Sequence, residues 1–97
     1  NGNMNSFEIK HIPEKKRFEM EVEGQIATVS YTLEDETLYL VHSEIPYKLR
    51  GRGMGKILVE AAFEYMKEHD LKGVPICSFI RKVAREGDGK WNENIAL

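Results

Sequence analysis

The chain has a single cysteine, Cys77, so no internal disulfide can form, and a reducing cytoplasm is the expected location. No apolar run exceeds a few residues, which excludes a spanning helix or a signal-peptide core and leaves no membrane partner expected. Prolines are three, Pro13, Pro46 and Pro75, and no stretch is rich enough in Pro, Gly or Ser to read as a linker. The three histidines, His11, His42 and His69, share no ligand spacing with one another or with Cys77, so no metal site is expected. A net charge of -2 provides no surplus of bases for a broad nucleic-acid face. The small basic cluster Arg81, Lys82 and Arg85 lacks interleaved aromatics and is expected to approach an anionic cofactor instead.

What is present fits one small globular domain. At 97 residues the chain has no room for a second catalytic domain, and it should bury about two-thirds of the surface its unfolded form exposes. Asn1-Gly2-Asn3 before Met4 follows no pattern and reads as an expression scar, which makes residues 4–97 the domain. Charge is unevenly placed: residues 1–49 carry nine acids against five bases, residues 50–97 seven acids against nine bases. Four of those bases, Lys48, Arg50, Arg52 and Lys56, lie within nine positions that also hold three glycines, which points to a local anion site.

Alternation predicts four strands. Phe7 and Ile9 alternate with Glu8 and Lys10, and Phe18, Met20 and Val22 alternate with Glu19, Glu21 and Glu23. Ile26 to Leu33 and Thr37 to Ile45 are rich in β-branched and aromatic residues, and polar turns separate all four segments into an antiparallel meander. From Met54 to His69 the period lengthens. Met54, Ile57, Leu58, Ala61, Ala62, Tyr65 and Met66 form the stripe of an amphipathic helix about four turns long. Val74 to Ile80 reads as a fifth strand, parallel to the fourth because a helical crossover joins them. One or two helical turns follow at 81–86, and Trp91 is expected to anchor the tail. The fold class is α/β, a mixed sheet with one crossover helix.

The sharpest chemical signal is Arg50-Gly51-Arg52-Gly53-Met54-Gly55-Lys56, between a strand and a helix. Alternate glycines let the backbone turn with its N–H groups outward, and the helix start adds unpaired amides and partial positive charge, a natural seat for a phosphate or pyrophosphate. It is not a P-loop, because Ile57 follows Lys56 where a magnesium-binding hydroxyl is needed. The GxGxG spacing is not the dinucleotide fingerprint either.

Three motifs at matching separations resemble the short, single-domain branch of the GNAT acyltransferase superfamily: His42-Ser43-Glu44-Ile45-Pro46, Arg50-Gly51-Arg52-Gly53 and Pro75-Ile76-Cys77-Ser78-Phe79. Within the broader superfamily, Arg50, Gly53 and Gly55 match the pyrophosphate-loop pattern. The resemblance implies a sheet whose fourth and fifth strands splay around acetyl-CoA. The fourth-strand backbone, ending at Ile45, would pair with pantetheine, and Arg50 with the amides of Gly51, Arg52, Gly53, Met54, Gly55 and Lys56 would form the cofactor cradle. Longer relatives carry helices near the start that shape the acceptor site. Here strands follow one another without them, so a second subunit or an extended protein substrate is expected to complete the site, in a monomer or a homodimer.

Acyl transfer to an amine needs a proton acceptor, because alkyl amines are mostly protonated at neutral pH. His42, of the side-chain type that titrates near neutrality, is the candidate base, although a strand histidine can equally serve as a cross-sheet hydrogen-bonding group. Glu44, on the same strand face, is placed to orient His42 or act through water. Cys77, expected toward the end of the fifth strand, is the alternative acyl carrier by nucleophilic catalysis. Ser78 and Ser43 offer hydroxyls to the thioester or acceptor. His11 and His69 read as surface residues near element ends. Two functions remain open: an acetyl-CoA-dependent N-acetyltransferase acting on an amine of a small molecule or protein, and a non-catalytic acyl-CoA-binding or interaction module with the same cradle.

Overall fold

The computed structural model describes residues 7–97, and the reading of Asn1–Asn3 as a scar lies outside them. The chain runs β1 (Ile9–Ile12), β2 (Arg17–Val22), β3 (Gln25–Glu34), β4 (Thr37–Glu44), α1 (Met54–Glu68), β5 (Lys72–Pro75) and α2 (Ser78–Glu86). The strands form one sheet in chain order, antiparallel except for the parallel pair of β4 and β5. This is the mixed α/β sheet that the alternation and the crossover helix imply.

One sheet face is apolar and covered. Phe18, Met20, Ala27, Val29, Leu38 and Leu40 are buried on it, against Leu58, Val59, Ala62, Phe63 and Met66 of α1. Burying each large side chain contributes about 1.5–3 kcal/mol, so this stripe supplies most of the driving force that holds α1 to the sheet. Gly73 is where helix and sheet come closest: a Cβ there would stand 2.6 Å from Met66 Cε and 3.2 Å from the Leu38 carbonyl. Trp91 is buried against Phe63, ring centroids 5.4 Å apart, and anchors the tail as expected. The tail also pairs with β5, Gly73 N–H donating to Asn94 O and Ala96 N–H to Gly73 O. Among the described residues no element covers the opposite sheet face, as an antiparallel sheet permits.

β4 contains the irregularity that shapes the site. Tyr31 pairs with Leu40 but Ser30 with His42, so Val41 is an extra residue in the strand, a bulge. Beyond it, Ser43 lies opposite buried Val29 on the helix side, while His42 and Glu44 lie opposite Ser30 and Thr28 on the open face.

Two expectations are corrected. The fifth strand covers Lys72–Pro75, not Val74 to Ile80, and Ser78 to Ile80 form the first turn of α2. Pro75 ends the ladder, and Ile80, Val83 and Ala84 then bury a helical stripe that a reading of VPICSFI as one extended run overlooks. His11 is not a surface residue at an element end. It sits within β1, stacked on Phe18 at 4.6 Å and hydrogen-bonded to the Tyr31 hydroxyl at 2.7 Å.

Candidate functional site

The free edge of β4 carries the site. β5 accompanies β4 only from Thr37 to Leu40, so past Leu40 alternate N–H and C=O groups of β4 have no strand beside them on that side. The two strands part at one atom: Leu40 O accepts from both Ile76 N–H (2.9 Å) and Cys77 N–H (3.0 Å), after which the chain turns into α2. The resulting cleft is floored by Ser43 and Ile45, walled by Phe79 of α2, and closed at its far end by Arg50, Gly51, Gly53, Gly55 and Lys56.

The loop is built to expose donors. A 3-10 turn at Tyr47–Leu49 buries Leu49 as an anchor, and Arg50 Nε donates back to Ile45 O at 3.0 Å. Gly51 and Gly53 have φ of 75° and 72°, left-handed values that turn successive N–H groups to one side. Gly53 is the N-cap of α1 and offers no side-chain acceptor, so the first internal bond of that end is Ile57 N–H to Gly53 O. Among the described residues, none of the N–H groups of residues 51–56 has a hydrogen-bond acceptor. Six amides at a helix start, with two cations beside them, form a site that can hold an anion. A Cβ at Gly51 or Gly53 would meet nothing within 4 Å, so the space before the amides is open. That donor set fits a pyrophosphate.

The expected residues divide by what the fold does with them. Met54 is buried, leaving only its amide for the cradle. The Arg52 side chain forms a two-point ion pair with Glu23 of the β2–β3 turn, and its amide remains in the loop. That pairing holds the Glu23 carboxyl below the usual carboxylate range, first through the hydrogen bond and then through the arginine's charge. Arg50 and Lys56 have no ion-pair partner among the described residues.

His42 and Glu44 are together, Nε2 to Oε1 3.8 Å, both more than half exposed. With Ser43, Ile45 and Arg50 they line a second depression, which has those three residues in common with the cleft. The two depressions measure about 410 and 500 Å³, within the roughly 300–1,000 Å³ of small-ligand sites. Cys77 stands at the N-cap of α2, half-buried against the core, and is not a strand residue; Ser78 is exposed in the first turn of α2. Neither lines the two depressions.

Phe79 is the site residue that the sequence reading left unassigned. A Cβ on Gly55 would lie 3.0 Å from Phe79 Cζ, so the third loop glycine is there to admit this ring. Phe79 within Pro75–Phe79 was the available signal. Among the described residues, no group of three His, Cys, Asp or Glu side chains is placed to hold a metal ion, and no helix is long and apolar enough to cross a membrane.

A strand parting from its neighbour beside a glycine-rich helix start is the architecture of the GNAT acyltransferases. The family profile of the GCN5-related N-acetyl-transferases matches residues 17–93, and the chain belongs to that family. Protein NATD1 of Xenopus tropicalis is 32% identical over 84 residues, covering 84% of this chain and 77% of its own. Protein NATD1 of Mus musculus is 31% identical over 81 residues, covering 80% and 74%. The NMR solution structure of a GCN5-like protein from Staphylococcus aureus superimposes with a TM-score of 0.61 at 26% identity, covering 92% of this chain and 87% of that one.

Proposed function

We propose that residues 4–97 form a single acyltransferase domain that transfers an acetyl group from acetyl-CoA to an amine. The observation that carries this reading is the row of six unbonded amides at residues 51–56, opening onto the free edge of β4. The amides and the charges of Arg50 and Lys56 hold the pyrophosphate, and the unpaired backbone of β4 around Ser43 and Ile45 binds the pantetheine arm. Bound there, acetyl-CoA supplies the activated thioester.

His42 accepts the proton that the acceptor nitrogen loses as the neutral amine attacks the thioester, and Glu44 on the same face orients the imidazole and offsets the charge it gains. Both are open to solvent, which suits an acceptor arriving from the uncovered sheet face, as a small amine or as a lysine-bearing protein segment. A second subunit on that face would complete the acceptor side in the same way. Cys77, fixed beside Leu40 two residues before His42, is the acyl carrier of the alternative two-step route.

Titration with CoA tests the cradle, and turnover of acetyl-CoA with a panel of primary amines tests the activity. Saturable binding with amine-dependent thiol release is expected. Binding without thiol release would make the chain a CoA-binding module, and absence of binding would remove both readings.

A further inference from the structure

The segment where β5 leaves the sheet is held by two residues. Residues Pro75 to Cys77 have five backbone polar groups, and all five are satisfied by Leu40 and Arg81. Ile76 and Cys77 N–H donate to Leu40 O. Arg81 Nη2 donates to Pro75 O and to Ile76 O, each at 3.3 Å, and Arg81 N–H donates to Cys77 O at 2.9 Å. Arg81 is half-buried and has no carboxylate partner among the described residues, so its guanidinium is used on backbone carbonyls alone. The sequence reading sent Arg81 toward the cofactor; its side chain instead reaches back to the carbonyls before its own helix.

This contact lies where the width of the cleft is decided. The chain direction over 75–77 sets where α2 begins, and α2 carries Cys77 at its head and Phe79 two residues before Arg81. Phe79 in turn packs on Gly55, where a Cβ would stand 3.0 Å from its Cζ. A planar guanidinium reaches two carbonyls at once and stays charged, and bonds from a charged donor are stronger than neutral ones.

We propose that Arg81 is a positioning residue of the acyl-transfer site: by gathering the Pro75 and Ile76 carbonyls it fixes the angle at which α2 leaves β5. It thereby holds Cys77 half-buried and Phe79 against the cradle. The part concerning CoA rests on the function proposed above; the part concerning Cys77 does not.

The test uses the whole chain with Arg81→Gln, Arg81→Lys and Lys82→Gln, the last an exposed neighbour losing the same charge. The rate of Cys77 alkylation by iodoacetamide is measured without any ligand, and CoA affinity is measured by calorimetry. Arg81→Gln is expected to alkylate about fivefold faster than wild type and to bind CoA about fivefold more weakly, because the released segment samples more positions. Arg81→Lys, which keeps the charge on a shorter side chain whose ammonium reaches the carbonyls less fully, should fall between. Lys82→Gln should alkylate at the wild-type rate. A role in global stability alone would lower the melting temperature and leave alkylation of the folded protein unchanged, and that result overturns the proposal. If Arg81→Gln does not fold, Arg81→Lys decides: a wild-type alkylation rate there overturns it equally. Failure of the wild-type chain to bind CoA removes the function reading and leaves the alkylation series to decide on Arg81.

Discussion

Arg52 and Glu23, 29 residues apart, are joined at two points, Nη2 to Oε2 at 2.7 Å and Nη1 to Oε1 at 3.2 Å. The pair ties the tip of the glycine loop to the β2–β3 turn and occupies the guanidinium that sits between Gly51 and Gly53. Both groups are exposed, so the pair adds little to folding stability, but it decides which cations an anion meets first. With Arg52 engaged, Arg50 and Lys56 are the loop cations without an ion-pair partner among the described residues, and the proposed cradle assigns the side-chain share of anion binding to them. Arg52→Ala is expected to change the Kd for CoA less than about twofold, and Lys56→Ala to raise it about fivefold at low salt. Glu23→Gln should tighten binding, because it removes a negative charge and frees Arg52. Calorimetry at two salt concentrations checks all three, and a large loss in Arg52→Ala would show that the ion pair opens on binding.

The loop glycines and Phe79 form a coupled set. Gly53→Ala puts a side chain on a left-handed backbone and costs about 1 kcal/mol of stability without a clash, since nothing lies within 4 Å. Gly55→Ala is different: its methyl meets the Phe79 ring at 3.0 Å and must push it away. Gly55→Ala should therefore weaken CoA binding in the wild-type background and have little further effect in Phe79→Ala, a double-mutant cycle with coupling of about 1 kcal/mol. Additive effects would show that the ring is not what Gly55 accommodates.

His11 gives the fold a pH dependence with a definite sign. Its imidazole lies in an aromatic cluster with Phe18, Tyr31 and Tyr65. Burial holds its pKa below the ordinary 6.5, with His69 adding to the depression and Glu14 opposing it. The unfolded chain therefore binds the proton first as pH falls, and stability declines from about pH 6.5 downward as protons are taken up preferentially by the unfolded state. Thermal unfolding at pH 7.5 and 5.5 should show a lower melting temperature at pH 5.5. His11→Gln should reduce the difference by removing the titrating group while keeping a hydrogen-bonding partner for Tyr31. An unchanged difference in that variant would assign the effect to other groups.

Most of the fold is legible in the periodicity of the sequence. Alternation in β2, β3 and β4 and the four-residue spacing of Leu58, Ala62 and Met66 are local signals with one dominant burial solution each. The β5–α2 junction was not legible in the same way, because Val74 to Ile80 is apolar enough to be a strand and the competing stripe of Ile80, Val83 and Ala84 begins at its last residue. His11 was readable in principle, since it continues the alternation of Phe7 and Ile9. The glycine cradle announced itself because backbone donors need glycine whatever the surroundings. Pairings that depend on the assembled fold, Arg52 with Glu23 and Arg81 with the Pro75 carbonyl, leave no trace in local spacing.

For the proposed acyl transfer, Cys77 and His42 distinguish two orders of chemical events. In direct transfer, the amine nitrogen attacks the thioester carbonyl, the carbon–sulfur bond to CoA breaks, and His42 accepts the proton that nitrogen loses. In the two-step route the Cys77 sulfur forms the new bond first, CoA thiol leaves, and the amine then displaces the cysteine. His42 and Glu44 line a depression that shares Ser43, Ile45 and Arg50 with the cleft, whereas Cys77 lines neither, and the proposed reading is therefore direct transfer. Cys77→Ala is accordingly expected to keep most of the turnover and His42→Ala to lose about 100-fold, in the range of a missing general base. Both variants should bind CoA as wild type does. Intact-mass measurement after brief mixing with acetyl-CoA should find no acetyl adduct on wild-type protein. An adduct that maps to Cys77 and disappears on addition of amine, together with an inactive Cys77→Ala, would reverse this order and make the thiol the first acceptor.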